Sequence, residues 1–194
     1  MNNKTPDNIL IVDGYNVIRS SGMYVGLGEP EGSSMGSFTA TPDFADYTHD
    51  HFNADRDALI NDVAVFAHRR YKPTVVFDGA GNPSSTGNRT EVAGVGVIFS
   101  AAGVCADATI EELVHQAVEA GHDVLVVTSD ATLQWTVLGK RVTRMSALGF
   151  ADEVHTIKKN TIDEVRLVTY KNTLGDRLDD ATRLKLAQMI RRSE

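Results

Sequence analysis

Asn8-Ile-Leu-Ile-Val-Asp13 is a short apolar run rich in branched residues, closed by Asp13-Gly14 and followed by Tyr15-Asn16. A run of this kind, without polar alternation, reads as a strand buried on both faces, the pattern of a parallel sheet. Three later segments share it: Thr74-Val-Val-Phe-Asp78, Val95-Gly-Val-Ile-Phe99 and Asp123-Val-Leu-Val-Val-Thr128. Between them the apolar period lengthens to that of a helix. In Asn53–Arg70, residues Leu59, Ile60, Val63, Phe66 and Ala67 form one stripe, and in Asp107–Ala120 so do Ile110, Leu113, Val114, Ala117 and Val118, with Gly121 as a stop. Thr128-Ser-Asp130 offers N-caps for a further helix through Leu138. Strands alternating with helices predict a three-layer, Rossmann-like α/β fold, a parallel sheet of about four to five strands with helices on both faces.

A chain of 194 residues suits one sizeable core, so residues 1–194 are expected to form a single domain. The stretch 20–51 is rich in Gly, Ser, Pro and Asp without a sustained period and reads as a loop insertion; Gly79–Thr90 reads as a polar loop. A short helix near Ser146–Val154 and helical C-terminal segments at about 160–192 complete the expectation. With 42% hydrophobic and 23% charged residues the composition is that of a globular chain, not a disordered one. The opening residues lack an apolar signal core and no apolar run is long enough to cross a bilayer, so the expected setting is the cytoplasm, with no membrane partner. Nothing in the composition specifies an oligomeric state. The single cysteine, Cys105, cannot form an internal disulfide and reads as an inert core or helix-approach residue.

Ligands of open parallel sheets bind beyond the carboxyl ends of the strands. Three strand segments run into an acidic residue there: Asp13, Asp78 and, two residues past the last apolar run, Asp130. Singly, each has an ordinary explanation, since Asp-Gly is a common turn and Ser-Asp a common cap. Jointly they are more informative. Asp107 adds a carboxylate in the first turn of the helix after the third strand, and Glu111 follows one turn later on the same face. Two unscreened carboxylates about 4 Å apart repel by roughly 4 kcal/mol at an effective dielectric near 20, so a cluster calls for protonation, separation or a bound cation. Oxygen donors without paired cysteines favour Mg2+ or Mn2+ over Zn2+; His49 and His51, in a polar stretch, read as solvated. Such ions support hydrolysis of a phosphodiester. Asn16 could hold a phosphate oxygen or a water through its amide, or serve merely as a turn residue.

A net charge of −7 argues against a broad basic groove, so charges that bind a nucleic acid would be local. Candidates are Arg69, Arg70, Lys72, Lys140, Arg141, Arg144, Lys158 and Lys159, each of which could equally be solvated surface.

At this point the residues resemble a known family. Ile11-Val-Asp-Gly-Tyr-Asn-Val17 is similar to the opening of NYN-domain, YacP-like proteins, which are PIN-like nucleases. The likeness continues in Val75-Val-Phe-Asp78, Val97-Ile-Phe-Ser100, Ala106-Asp107, Ile110-Glu-Glu-Leu113, Val127-Thr-Ser-Asp130 and Gln134-Trp135. The resemblance implies a PIN-like fold and a metal-dependent endoribonuclease. Asp13, Asn16, Asp107 and Asp130 would be the catalytic residues, with Asp78 and Glu111 as further metal candidates. Asn16, Ser129, Arg89, Lys140, Arg141 and Arg144 are candidate substrate contacts. It also implies RNA, messenger RNA above all, as partner, with the ribosome as a setting known for some relatives. The 20–51 stretch looks longer than the family connection. Trp135 is expected to pack in the core, with base stacking as the alternative.

Three other readings compete. A haloacid-dehalogenase-like phosphatase needs a second Asp two positions after the first, where this chain has Tyr15. Gly94-Val-Gly96 lies at a strand, not at a strand-to-helix turn, and does not support a dinucleotide site. The remaining rival is an RNA- or ribosome-binding module that keeps the fold without cleaving.

Overall fold

The structure, a computed structural model, describes residues 8–24, 52–79 and 84–177. Its elements are β1 (Asn8–Asp13), α1 (Gly14–Ser21), α2 (Phe52–Ala67), β2 (Lys72–Phe77), β3 (Arg89–Val92), β4 (Val95–Phe99), α3 (Ala106–Glu119), β5 (Asp123–Val127), α4 (Ala131–Thr136), β6 (Val142–Met145) and α5 (Ala147–Arg177). The strands form one sheet of six in the order β3-β4-β2-β1-β5-β6. Every pair is parallel except β3 with β4.

The four apolar runs of the sequence are the four central strands, with residues 10–13, 73–77, 95–98 and 124–127 buried. Alternate side chains face opposite layers. Ile11, Val76, Val124 and Val126 pack with Ile110 and Val114 of α3 and with Leu133 and Val137 beside α4. On the other face Phe77 meets Tyr15 of α1, with ring centroids 5.2 Å apart, and Phe66 of α2 meets Phe150 of α5 at 5.1 Å. The predicted α2 stripe is wholly buried, from Leu59 to Ala67. Helices on both faces of a mostly parallel sheet make the three-layer α/β fold.

The sheet has six strands, not four to five. The two additional ones, β3 and β6, lie at the edges, and their mostly exposed residues carry no apolar run. A strand covered on neither side reads as a loop, which is why Gly79–Thr90 overlapped β3. Helix α1 also replaces the expected turn after Asp13. Its first residue, Gly14, has no left-handed backbone; a Cβ there would collide with the Phe77 ring. Gly14 thus provides close approach of helix to sheet. The expected short helix at 146–154 and the start of the C-terminal segments are one helix, α5.

The described residues fall into two compact units divided between Val154 and His155. In the second unit residues 155–177 are helical, and Lys158, Lys159 and Ile162 are exposed. Residues 25–51 of the expected insertion, with His49 and His51, and 178–192 of the C-terminal segments lie outside the described residues. No helix among the described residues is long and apolar enough to cross a membrane.

Candidate active site

Strand order fixes where the site lies. From β1 the chain proceeds to β2 on one side of the sheet, whereas from β5 it proceeds to β6 on the other. The carboxyl ends of β1 and β5 therefore flank a topological switch point, the place where open α/β sheets form a binding crevice. Asp13 ends β1, and Thr128-Ser129-Asp130 follows β5.

Asp13 is 7% exposed. Its Oδ1 accepts the Asn16 N–H at 3.2 Å, capping α1, and its Oδ2 accepts the Thr128 hydroxyl at 3.1 Å. Thr128 Oγ1 in turn accepts the Asp130 N–H at 3.1 Å. Asn16 Oδ1 accepts the Ser129 N–H at 2.7 Å, so two bonds join residues more than a hundred positions apart. Asp130 Oδ1 caps α4 through the N–H groups of Thr132 and Leu133, at 2.7 and 3.1 Å. Gln134 Nε2 donates to the Thr128 carbonyl at 2.6 Å, and Ser129 Oγ accepts the Ala147 N–H at 3.0 Å. The start of α1 and the loop after β5 are thereby held in one register.

Burial pushes the Asp13 carboxyl up to about 6; the hydrogen bonds from Asn16 and Thr128 oppose this, while the charges of Asp107 and Asp130 add to it. Asp107, half-buried in the first turn of α3, is raised by burial and then by the charges of Asp130, Glu111 and Asp78. Asp78 and Glu111 are exposed. All five carboxylates lie within electrostatic reach of Asp13 or Asp107. They do not form a closed ligand set: among the described residues no group of three or more His, Cys, Asp or Glu side chains is arranged to hold a metal ion. The donor chemistry nevertheless fits a hard divalent cation. It consists of carboxylate oxygens whose mutual repulsion a cation would offset, and each Asp13 oxygen keeps acceptor capacity beyond its one hydrogen bond.

The expected basic contacts are not all at this edge. Lys140 and Arg141 precede β6, whose Val142 is paired with Val124 at the start of β5, so they stand at the amino edge of the sheet. There Arg141 Nη1 donates to the Gly121 carbonyl at 2.7 Å and to Asp123 Oδ1 at 3.3 Å. Arg89 lies across Gly96, with Nη1 donating to Thr74 Oγ1 at 2.7 Å and Nη2 to the Pro73 carbonyl at 3.5 Å. These three are not brought to the carboxylates: the parallel register of β6 puts Lys140 and Arg141 at the amino edge, and Arg89 is turned to Thr74 and Pro73. Arg69 and Arg70 sit in the α2–β2 connection, where Arg70 Nη2 donates to the Phe66 carbonyl at 2.7 Å, and Lys72 opens β2 at its amino end. Arg144 is different. It is exposed, and its Nη1 donates to the Gln134 carbonyl of α4 at 2.9 Å.

Trp135 is 71% exposed, not core: α4 turns Leu133 inward and leaves the indole outside. Cys105 is an exposed residue at the start of α3, a helix-approach position and not a core one. Sequence reasoning overlooked Thr128 as the link between Asp13 and Asp130, and also Arg56, whose Nη1 donates to the Tyr15 hydroxyl at 2.9 Å and whose guanidinium stands 5.6 Å from the Phe99 ring centre. Tyr15 lies inside the Asp-Gly-Tyr-Asn block and was visible as a motif residue; Arg56 carries no local signal.

A family model described as a YacP-like NYN domain matches residues 10–191. The chain is 30% identical over 173 residues to the uncharacterized protein YacP of Bacillus subtilis (strain 168), covering 87% of each. The crystal structure of Rae1 (YacP) from Bacillus subtilis matches with a TM-score of 0.58 at 28% identity, covering 95% of both chains. A point mutant of the same protein matches with a TM-score of 0.57 at 30% identity, covering 84% of this chain and 83% of that one. The sheet order, the carboxylate edge and these matches agree, and the chain belongs to the YacP-like NYN family of PIN-like nucleases.

Proposed function

We propose that this protein is a divalent-metal-dependent endoribonuclease that hydrolyses RNA phosphodiester bonds, with messenger RNA as substrate in a cytoplasmic, ribosome-associated setting. The observation that carries the reading is the Thr128 hydroxyl bridge at the β1/β5 switch point, which holds Asp13 and Asp130 at one edge with Asp107 in their field.

In this reading Asp13, Asp107 and Asp130 hold Mg2+ or Mn2+, and Asp78 and Glu111 lend negative potential from the rim. Closing the set requires rotation of carboxylates that now repel one another. When bound, the cation supplies Lewis acidity at the phosphodiester and an activated water. The protein's own groups position the substrate. Asn16, fixed through Oδ1 by Ser129, has two Nδ2 donors suited to a phosphate oxygen. Ser129 and Arg144, both exposed, are the candidates for further phosphate contacts. Thr128 keeps Asp13 oriented but is itself buried and does not reach substrate.

The unclosed carboxylate set favours one rival, an RNA- or ribosome-binding module without cleavage. The phosphatase alternative has no comparable support, since the Tyr15 hydroxyl occupies the place of its acid and takes a hydrogen bond from Arg56. Incubating the purified chain with end-labelled RNA in Mg2+ or Mn2+, and again with excess chelator, separates the first two. Internal cleavage that the chelator abolishes supports the enzyme. RNA binding without cleavage, both free and with translating ribosomes, supports the module.

A further inference from the structure

We propose that Trp135 is a stacking platform for a base of single-stranded RNA and that Arg144 holds the neighbouring phosphate. This deepens the nuclease reading and rests on it.

The chain has a single tryptophan, and α4 exposes 71% of it although the same helix has an apolar side to bury. Leu133 and Val137 take that side, at 1% and 5% exposure. The indole is thus left in water by the helix's own register, one residue beyond Gln134, whose side chain grips the Thr128 carbonyl. Asp130 caps α4, so the platform is rigidly attached to a site residue. Five residues of helical rise separate the two, about 7.5 Å, or about two stacked bases at 3.4 Å each.

The surroundings select the occupant. Beside α4 runs an open groove of about 490 Å3 whose walls are Gln134, Val142, Thr143, Arg144, Met145 and Ser146. Arg144 spends one N–H on the Gln134 carbonyl, and its guanidinium carries five donors in all. A protein hot spot would surround the aromatic with a dry apolar rim. Here the exposed ring, with Leu138 three positions on, directly follows Gln134, which together with Arg144 lines the groove; a ring beside a cation suits the alternation of flat base and anionic phosphate in a nucleotide strand. A duplex keeps its bases stacked on one another and offers no free face, so the platform selects single strands.

The single tryptophan makes its own probe. In chelator, a ten-nucleotide single-stranded RNA of mixed sequence should quench the emission of the full chain to saturation, while the same sequence annealed to its complement should not. Anisotropy of a dye-labelled decamer then compares variants. Trp135→Ala should weaken binding roughly 5- to 150-fold, the range for one stacked base, and Trp135→Phe should recover most of it. Arg144→Ala should weaken binding and lower the slope of log affinity against log salt by about one.

Unchanged affinity of Trp135→Ala, with metal-dependent cleavage by the parent chain intact, overturns the platform and leaves the nuclease reading standing. A change of oligomeric state in Trp135→Ala at unaltered RNA affinity overturns it in favour of a protein contact. Absence of both RNA binding and cleavage in the parent chain overturns the two readings together.

Discussion

Replacing Asp13 by Asn should stabilise the metal-free protein while abolishing cleavage. The carboxyl is 7% exposed and is raised from 3.8 to about 6, chiefly by burial. A shift of about 2 pKa units corresponds to about 3 kcal/mol by which ionising Asp13 at neutral pH opposes folding. The sign follows from proton binding. Between pH 4 and 6 the folded state holds a proton that the unfolded state has lost, so stability from this group is complete below about 4 and is lost as pH rises through 6. The introduced amide would keep an acceptor for the Asn16 N–H but present its NH2 group where Oδ2 now takes the Thr128 hydroxyl, a mismatch costing about 1 kcal/mol. The net gain is about 2 kcal/mol at pH 7, or about 4–8 °C in melting temperature for a chain of this size. Urea titrations in chelator at pH 7 and pH 4.5 measure it, with the parent chain as reference for all other titrating groups. The variant should be the more stable at pH 7, and the difference should shrink to near zero at pH 4.5. A variant less stable at pH 7, or a difference independent of pH, would refute the claim that burial and neighbouring charge hold Asp13 in an unfavourable ionised state.

Asp130→Asn should retain the cap of α4, because Asn caps about as well as Asp, yet lose cleavage by about a hundredfold or more. Asp130→Ala should lose cleavage and also about 1 kcal/mol of stability, and comparing both melts with RNA cleavage rates separates the two roles. Asn16→Ala removes the acceptor of the Ser129 N–H and should cost about 1 kcal/mol in urea unfolding together with much of the activity; full activity would show that the loop after β5 needs no such tie. Gly14→Ala drives a methyl into the Phe77 ring and should destabilise by about 1–3 kcal/mol, with Phe77→Leu as a second substitution expected to restore part of the loss. In the nuclease reading, saturating Mn2+ should raise the melting temperature of the parent chain but not of Asp13→Asn, because only ligands that bind the folded state stabilise it.

Each part of the fold became readable to the extent that its signal was local. The runs at residues 8–13, 74–78, 95–99 and 123–128 announce buried strands because a strand covered on both faces tolerates no polar side chain. The stripe from Leu59 to Ala67 announces α2 because one helical face meets the core. Edge strands β3 and β6 lack such a signature, since only pairing with a distant segment defines them. Helix α1 was hidden because Gly14 looks like a turn residue, and only the approach of Phe77 explains it.

For the candidate site the division is the same. Asp13, Asp78 and Asp130 were legible as acidic residues at strand ends, and Asp107 and Glu111 as one face of α3. By itself, the amino-acid sequence determined the central strands, the main amphipathic helices and the edge at which the acids gather, because burial and periodicity act over a few neighbouring residues. Tertiary structure alone decided that Thr128 would bridge Asp13 and Asp130, that Arg89 and Arg141 would serve other partners, and that Trp135 would face water. Those outcomes depend on strand register and helix rotation across segments up to 115 residues apart, which local patterns do not encode.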